Sequence, residues 1–161
     1  MRVHVSNRQR RLRVDGRRLA ALSQFCAARI LKAEPRRHWQ AVALILLDNP
    51  GMREANRRLF GAAHTTDVIS CAYAPHPDEG GLWEGEILVN AQLAAERAAS
   101  GAGRLRRSVA RELALYVAHG WDHLGGADDA SAVERRRMRQ RELRWLRQAD
   151  QRGLLKGLIR P

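Results

Sequence analysis

The segment 119–129 constrains this chain more than any other, because it places two histidines four residues apart and an aspartate shortly after two glycines. Residues four apart share one face of a helix, so His119 and His123 can point ring nitrogens at a single ion. The two glycines end the helix at little steric cost, and the chain can fold back to bring Asp129 beneath the histidines. The spacing predicts a metal site with three protein ligands.

Three protein ligands leave a fourth position open for water, which is typical of a catalytic rather than a structural zinc site. Imidazole ligands favour zinc among the common metal ions. Asp128 stands beside Asp129 as an alternative third ligand, and the spacing fits both carboxylates. We expect one catalytic Zn²⁺ per chain, held by His119, His123 and Asp129.

The residue after the first histidine separates two chemistries that share this spacing. Metzincin peptidases carry H-E-x-x-H-x-x-G-x-x-H, in which the glutamate is the general base that acts on the zinc-bound water. That position is Gly120 in this chain. A metzincin-like metallopeptidase is therefore the second interpretation, because it would lack its base.

With glycine in that place, the segment resembles the motif H-G-x-L-H-L-x-G-Y-D-H of the YbeY family, the metal-dependent endoribonucleases known as rRNA maturation factors. Upstream, residues 55–71 resemble the family's stretch L-N-x-x-Y-R-x-x-D-x-P-T-D-V-L-S-F, residues 85–90 its G-D-I-x-I-x strand, and residues 111–113 its R-E-L. The matches follow the family's order over about residues 40–146.

The resemblance implies a zinc-dependent single-strand endoribonuclease that acts in rRNA maturation, at the 3′ end of 16S rRNA, and in ribosome quality control. It implies RNA and the small ribosomal subunit as partners. The metal would lower the pKa of its bound water toward about 7 and polarise a phosphoryl oxygen, so that hydroxide attacks phosphorus. No side chain of the chain is an obvious general base.

The chain departs from the family's pattern at two positions. The third ligand, a histidine in the family's commonest motif, is Asp129, and the family's phosphate-facing arginine falls at Phe60. Arg57 and Arg58, on the same predicted helix, are the candidates for the phosphate contact, although helical geometry turns them to other angles. A weakly catalytic, metal-stabilised ribosome-assembly factor is therefore a third interpretation.

Charge agrees with an RNA partner. A formal net charge of +12 and a pI of about 11.4 give a field that attracts polyanions. All but two of the 29 basic residues are arginines, a bias that a GC-rich genome also produces. The arginines are spread along the chain, so the sequence identifies no single basic surface.

Five further side chains near the motif have weaker claims to a functional role. Glu112 lies seven residues before the first motif histidine, on the same helical face. We expect it to be a buried residue that supports the metal ligands, or a surface residue, rather than to act in catalysis. His64 and His76 are alternative extra ligands. Trp83 and Trp121 could stack on bases, with packing as the default for both.

The alternation of short apolar runs and helical periodicity predicts an α/β (α+β) domain over residues 1–150, followed by a loose tail over 151–161. We expect a small mixed sheet of about four strands surrounded by helices, with the metal-binding helix central. The unbroken apolar run 40–47 predicts a strand covered on both faces. Strands are predicted at 1–5, 11–14, 40–47, 66–73 and 86–90, helices at 17–32, 52–60, 92–100, 105–123 and 131–150, and a loop at 74–81.

The cysteines and the chain ends bear on location. Cys26 and Cys71 stand in apolar surroundings with no C-x-x-C pattern, which predicts buried thiols in a reducing compartment. Neither end resembles a signal peptide, and no apolar run approaches the roughly 20 residues that span a bilayer. We expect a cytoplasmic protein without a membrane segment.

Overall fold

The computed structural model describes residues 1–33, 37–75, 81–100 and 108–161. Within these ranges the chain forms four strands and five helices. In chain order they are β1 (Arg2–Asn7), α1 (Gly16–Ala33), β2 (His38–Leu47), α2 (Asn49–Phe60), β3 (Val68–Tyr73), β4 (Leu82–Asn90), α3 (Ala91–Ser100), α4 (Val109–Leu124) and α5 (Ala132–Gln151).

The strands form one mixed sheet in the order β1-β2-β4-β3. Strands β1, β2 and β4 are parallel, and β3 runs antiparallel to β4 at one edge. Helices connect the parallel strands, as parallel neighbours require. The prediction of a single α/β domain with a small mixed sheet of four strands is confirmed.

Strand β2 is covered on both faces, as its unbroken apolar run predicts. Val42, Leu44 and Leu46 belong to the main core with α1 and α4. Ile45 and Leu47 belong to a smaller core that includes Met52 of α2. Alternate side chains of a strand point to opposite faces, so a strand buried on both sides is apolar at every position.

Helix α4 lies at the centre of the domain, as expected for the helix that carries the motif. It contacts α1, α3, α5, β3 and β4. Its middle stretch, residues 113–118, is buried at every position. The helix begins at Val109, because Ser108 caps its first turn by accepting a hydrogen bond from the Arg111 amide. The predicted residues 105–107 lie outside the described residues.

The predicted strand at 11–14 is wrong. The Gln9 side-chain oxygen accepts hydrogen bonds from the backbone amides of Arg11 and Leu12, at 2.7 and 2.9 Å, and the chain bends there. Only Val14 forms a bridge, and its partner is Ile159. A side chain that captures backbone amides in this way competes with strand pairing.

The C-terminal segment is packed, which corrects the expectation of a loose tail. Leu155 and Leu158 are buried against the main core. The Leu158 carbonyl accepts a hydrogen bond from the Asp15 amide at 2.9 Å, and the Arg160 guanidinium donates to the Asp15 carboxylate at 2.6 Å. These partners lie more than a hundred residues away, so the short apolar pattern of the tail could not reveal them.

The starts of two other elements, α2 and β4, also differ from the predictions. Helix α2 begins three residues earlier than predicted, because Asp48 caps it by accepting from the Gly51 amide at 2.9 Å. Strand β4 begins at Leu82 rather than Glu86, since it pairs with β2 from Leu82 onward and with β3 from Glu84 onward. Of the predicted loop 74–81, residues 76–80 lie outside the described residues.

Both cysteines are free thiols; Cys26 is buried and Cys71 is half-buried. In the described part of the chain, no helix combines the length and the apolar character that crossing a bilayer requires.

Candidate metal centre

The three predicted ligands come together where α4 ends. His119 and His123 lie on one face of its last two turns, and Gly126, with a φ of 86°, turns the chain back toward them. This left-handed conformation favours glycine. The returning loop brings in Asp129, so that one ligand atom from each residue lies within 4.8 Å of the others.

The two histidine rings face each other through their Nε2 atoms. The Nε2 atoms of His119 and His123 are 3.1 Å apart, and the His123 Nε2 lies 4.0 Å from Oδ2 of Asp129. Two nitrogen ligands of one tetrahedral zinc lie about 3.3 Å apart for Zn–N bonds of about 2.0–2.1 Å. The spacing of the two imidazoles therefore suits a single metal ion.

Hydrogen bonds at the other ring nitrogens fix which lone pairs are available. The Ala127 carbonyl, 3.0 Å from the His123 Nδ1, can only accept, so Nδ1 carries the proton. The Glu142 carboxylate, 2.6 Å from the His119 Nδ1, places a proton there too. When both rings are neutral, both Nε2 lone pairs are then available to a shared cation. The donor set fits a divalent metal.

Glu142 is a supporting residue that the sequence analysis missed. It is buried on α5 and accepts the hydrogen bond from His119. Burial disfavours the charged imidazolium, but the hydrogen bond and charge of Glu142 outweigh burial and raise the pKa of His119. One signal was available: Glu142 follows Met138 by four residues and precedes Trp145 by three, so a carboxylate sits on the apolar stripe of the helix.

The two neighbouring aspartates have different surroundings. Asp129 contributes to the ligand group, and the exposed Asp128 accepts a hydrogen bond from the Ala130 amide at 3.1 Å. Arg135 donates to the carbonyls of Asp129 and Ala130, at 2.8 and 3.0 Å, and so holds the loop on α5. Asp129 therefore belongs to the candidate ligand group, and the Asp128 side chain takes part in the turn.

Two clefts flank His119. The first cleft, of about 400 Å³, is lined by both histidines, by Phe60 of α2 and by the start of β3. The second cleft, of about 290 Å³, opens on the other side toward α3 and α5 and is lined by His119 and Asp129. Thr66 and Val68 line the first cleft and Asp67 the second, so this short segment and His119 form the ridge between them.

Helix α2 presents Phe60, and not an arginine, to the histidines. Phe60 is 61% exposed where it lines the first cleft. Arg57 forms an ion pair with Glu54 at 2.5 Å and lines a separate surface hollow. Arg58 is exposed on the same helix, and neither arginine lines a cleft beside the histidines. The contact that sequence reasoning assigned to Arg57 or Arg58 has no counterpart in this arrangement.

Of the other polar candidates, Glu112 and His64 line the two clefts beside the candidate ligands. Glu112 is buried and lines the second cleft, two turns before His119. His64 is exposed at the rim of the first cleft, outside the ligand group, and its carbonyl accepts a hydrogen bond from Asn56 at 2.9 Å. His76 lies outside the described residues.

The two tryptophans have packing roles. Trp121 is fully buried, and its indole N–H donates to the Ser23 hydroxyl at 2.8 Å. Trp83 is half-buried beneath the Arg37 guanidinium, 4.7 Å from the ring centre, with its ring 6.1 Å from that of Trp39. Base stacking by Trp121 is therefore excluded by its burial.

Close packing of α4 on the sheet explains the glycine between the histidines. A Cβ at position 120 would overlap the Cγ2 atom of Ile87 and lie 3.1 Å from Cγ2 of Val68. The Gly120 carbonyl also accepts a hydrogen bond from the Ser70 hydroxyl at 3.1 Å. The glutamate of a metzincin peptidase has no room at this position.

Comparison with known proteins finds relatives that cover most of this chain. The Endoribonuclease YbeY proteins of Pelotomaculum thermopropionicum and of an Anaeromyxobacter species are 36% and 31% identical over 146 and 142 residues. Each alignment covers 88% of this chain, with 93% of the first relative and 69% of the second. The solution structure of TM1509 from Thermotoga maritima has a similar fold, with a TM-score of 0.57 at 20% identity over 96% of this chain and 89% of that one.

A sequence model of the family described as Endoribonuclease YbeY matches residues 4–150. The match spans the sheet, the helix that carries both histidines, the Asp129 loop and the helix that carries Glu142. This chain belongs to the YbeY family.

Proposed function

We propose that this protein is a zinc-dependent endoribonuclease that cuts single-stranded RNA. The observation that carries the proposal is the pair of Nε2 atoms that face each other 3.1 Å apart, with Asp129 beside them, in a chain whose relatives are named endoribonucleases. The net charge of +12 supports a polyanionic substrate, because it raises the local concentration of RNA and speeds its encounter with the protein.

Within this proposal, His119, His123 and Asp129 hold the zinc. When bound, zinc supplies a water of lowered pKa and a Lewis acid for a phosphoryl oxygen. Glu142 and the Ala127 carbonyl keep both Nε2 lone pairs directed at the ion. The first cleft is lined by Thr66, Ser70 and His64, and the exposed His64 ring can donate to a phosphate oxygen of a single strand.

The biological role belongs to the same proposal. We assign the protein to rRNA maturation and ribosome quality control, with the 3′ end of 16S rRNA as the site processed, the small ribosomal subunit as partner and the cytoplasm as location. The support is the resemblance of residues 55–71 and 119–129 to the family's motifs.

Metal analysis combined with an RNA cleavage assay tests the proposal. We expect about one zinc per purified chain. A single-stranded RNA should be cut, a chelator should abolish the cleavage, and added zinc should restore it. The same RNA annealed to its complement should be cut more slowly. Cleavage by metal-free protein would contradict the proposal.

One observation favours a weakly catalytic assembly factor as the second candidate. Phe60 exposes its ring in the first cleft, at the position where the resemblance calls for an arginine that faces phosphate. Such a factor would bind zinc and RNA and leave the RNA intact. The peptidase interpretation is disfavoured by the packing at Gly120, and a casein digest provides its control assay.

A further inference from the structure

The second cleft is not used by the proposed function, although two of the proposed metal ligands line it. Three arginines reach it from two helices, Arg97 from α3 and Arg135 and Arg139 from α5. Arg135 is committed to the carbonyls of the ligand loop, so it positions Asp129. Arg97 and Arg139 remain as the cationic groups of the cleft.

The guanidinium groups of Arg97 and Arg139 retain donors for a ligand. The Nη1 of Arg97 lies 3.6 Å from Oδ2 of Asp67, and the Nη1 of Arg139 lies 3.9 Å from Oε2 of Glu142. Both separations exceed the range of a hydrogen bond. These carboxylates hold the arginines near the cleft by charge and leave their N–H groups available to an anion.

A buried hydroxyl in the same cleft points independently to a ligand. Tyr116 is 2% exposed and lines the cleft, with the Arg97 guanidinium 5.8 Å from its ring centre, and within the described residues its hydroxyl has no hydrogen-bond partner. Burial raises the pKa of this phenol, so it stays protonated and can donate. An unsatisfied buried hydroxyl costs about 1–3 kcal/mol, and an acceptor supplied by a ligand would remove that cost.

We propose that the second cleft binds a phosphate group of the RNA backbone next to the bond that is cut, with Arg97 and Arg139 paired to its oxygens and the Tyr116 hydroxyl as a further donor. This inference rests on the proposed function. It supplies, from the other side of His119, the phosphate contact that Phe60 cannot make. A guanidinium suits this task, because its planar fork matches two phosphate oxygens.

The carboxylates of the cleft predict that this subsite depends on the metal. Asp67, Glu112 and Glu142 oppose the three arginines in charge, and Asp129 adds a fourth negative group. A bound divalent ion would shift that balance toward positive charge. RNA should therefore bind the zinc-loaded protein more tightly than the chelated protein, and substitution of Arg139 should matter more in the loaded form.

Affinity for RNA, measured apart from cleavage, tests the subsite. The probe is a fluorescent single-stranded RNA with phosphorothioate linkages, which resists hydrolysis, titrated against the zinc-loaded protein at several salt concentrations. Arg97→Ala and Arg139→Ala should each weaken binding about tenfold and reduce the salt slope by about one. Tyr116→Phe should weaken binding about threefold, because it removes one neutral donor.

Arg144→Ala is the matched control. It removes the same charge from α5, but Arg144 is exposed and lies about 200° around the helix from Glu142. Binding should change less than twofold. Equal losses from Arg139→Ala and Arg144→Ala would overturn the proposal, because they would report only the overall charge. Losses seen with oligo-adenylate and absent with oligo-uridylate would also overturn it, in favour of a base pocket.

Turnover separates failure of the subsite from failure of the function. If wild-type protein cuts RNA and both cleft variants match Arg144→Ala, the subsite is overturned and the nuclease stands. If wild-type protein neither binds nor cuts RNA, both fail. A rescue adds a positive test: Phe60→Arg in the Arg139→Ala background should recover part of the lost rate at saturating RNA.

Discussion

The Glu142 carboxylate lies 2.6 Å from the Nδ1 atom of His119 and thereby joins α5 to the face of α4 that carries both histidines. Glu142 is 2% exposed on a helix that otherwise presents many arginines to solvent. Its hydrogen bond fixes the tautomer and the ring orientation of His119. The packing of these two helices therefore determines the direction of one proposed metal ligand.

The first prediction follows from that contact. Glu142→Gln should weaken zinc binding about 10- to 100-fold, because a neutral acceptor orients the ring less firmly and makes it a weaker donor to the metal. Competition with a chromogenic chelator measures the Kd. Asp150→Asn, which changes an exposed carboxylate on the same helix, should leave the Kd within twofold. An unchanged Kd in Glu142→Gln would contradict the role of Glu142 in zinc binding.

A second prediction distinguishes the two aspartates of the loop. His119→Ala, His123→Ala and Asp129→Ala should each lower bound zinc well below one per chain, because each removes a ligand. Asp128→Ala should stay close to wild type, since its carboxylate accepts from the Ala130 amide. Elemental analysis of purified protein provides the measurement. Equal losses from both aspartates would leave the third ligand unassigned, and full occupancy in His123→Ala would contradict the site itself.

A third prediction concerns the glycine between the histidines. Gly120→Ala should lower the free energy of unfolding by about 1–3 kcal/mol, because the added methyl group overlaps Ile87 in a packed interior. Urea denaturation measures the change. Gly16→Ala is the control, since a Cβ there meets no atom within 4 Å. That variant should be neutral or slightly stabilised. A stable Gly120→Ala protein would show that α4 can move off the sheet.

A fourth prediction exploits the buried ion pair behind the site. Asp122 is 2% exposed; its two carboxylate oxygens share the Arg141 Nε–H, at 2.8 and 2.9 Å, and Oδ2 lies 2.8 Å from Nη2 of the same arginine. Arg141→Met should cost about 3 kcal/mol at neutral pH, because it leaves a buried carboxylate without its partner. Asp122→Leu should cost less, since the Arg141 side chain is 38% exposed and can turn to water.

The loss of stability in Arg141→Met should also depend on pH. Burial outweighs Arg141 and raises the pKa of Asp122, so this residue's contribution to stability is greatest below its unfolded pKa and declines as pH rises through the folded value. Removal of Arg141 raises the pKa further. The deficit of Arg141→Met should therefore be small near pH 4 and grow toward pH 7, as followed by urea denaturation. A deficit that is constant with pH would mean that the loss comes from packing alone.

The parts of the fold and site that sequence predicted depend on local geometry. Two histidines on one helical face, and the turn that returns Asp129, need only helical periodicity and glycine at position 126. The double burial of β2 follows from the apolar residues at successive positions. Each of these patterns lies within about a dozen residues, where sequence order and spatial order coincide.

The missed parts depend on contacts between distant segments. Glu142 reaches His119 across 23 residues, and the Leu158 carbonyl pairs with the Asp15 amide from the other end of the chain. A periodic pattern reports that a face is buried but not what lies opposite. Arg57 illustrates the same limit, because its position on the predicted helix was correct while its partner, Glu54, is on the outer surface.

The packing at Gly120 also bears on how this fold could change its chemistry. A single base change converts some glycine codons to glutamate codons, so the peptidase's general base is one mutation away in the genetic code. In this domain that mutation would first push α4 away from Ile87 and Val68. The mutation would therefore lower the stability of the fold before it could supply a general base. One substitution thus separates the glycine motif from the peptidase motif in sequence, and the close packing of α4 on the sheet opposes that substitution.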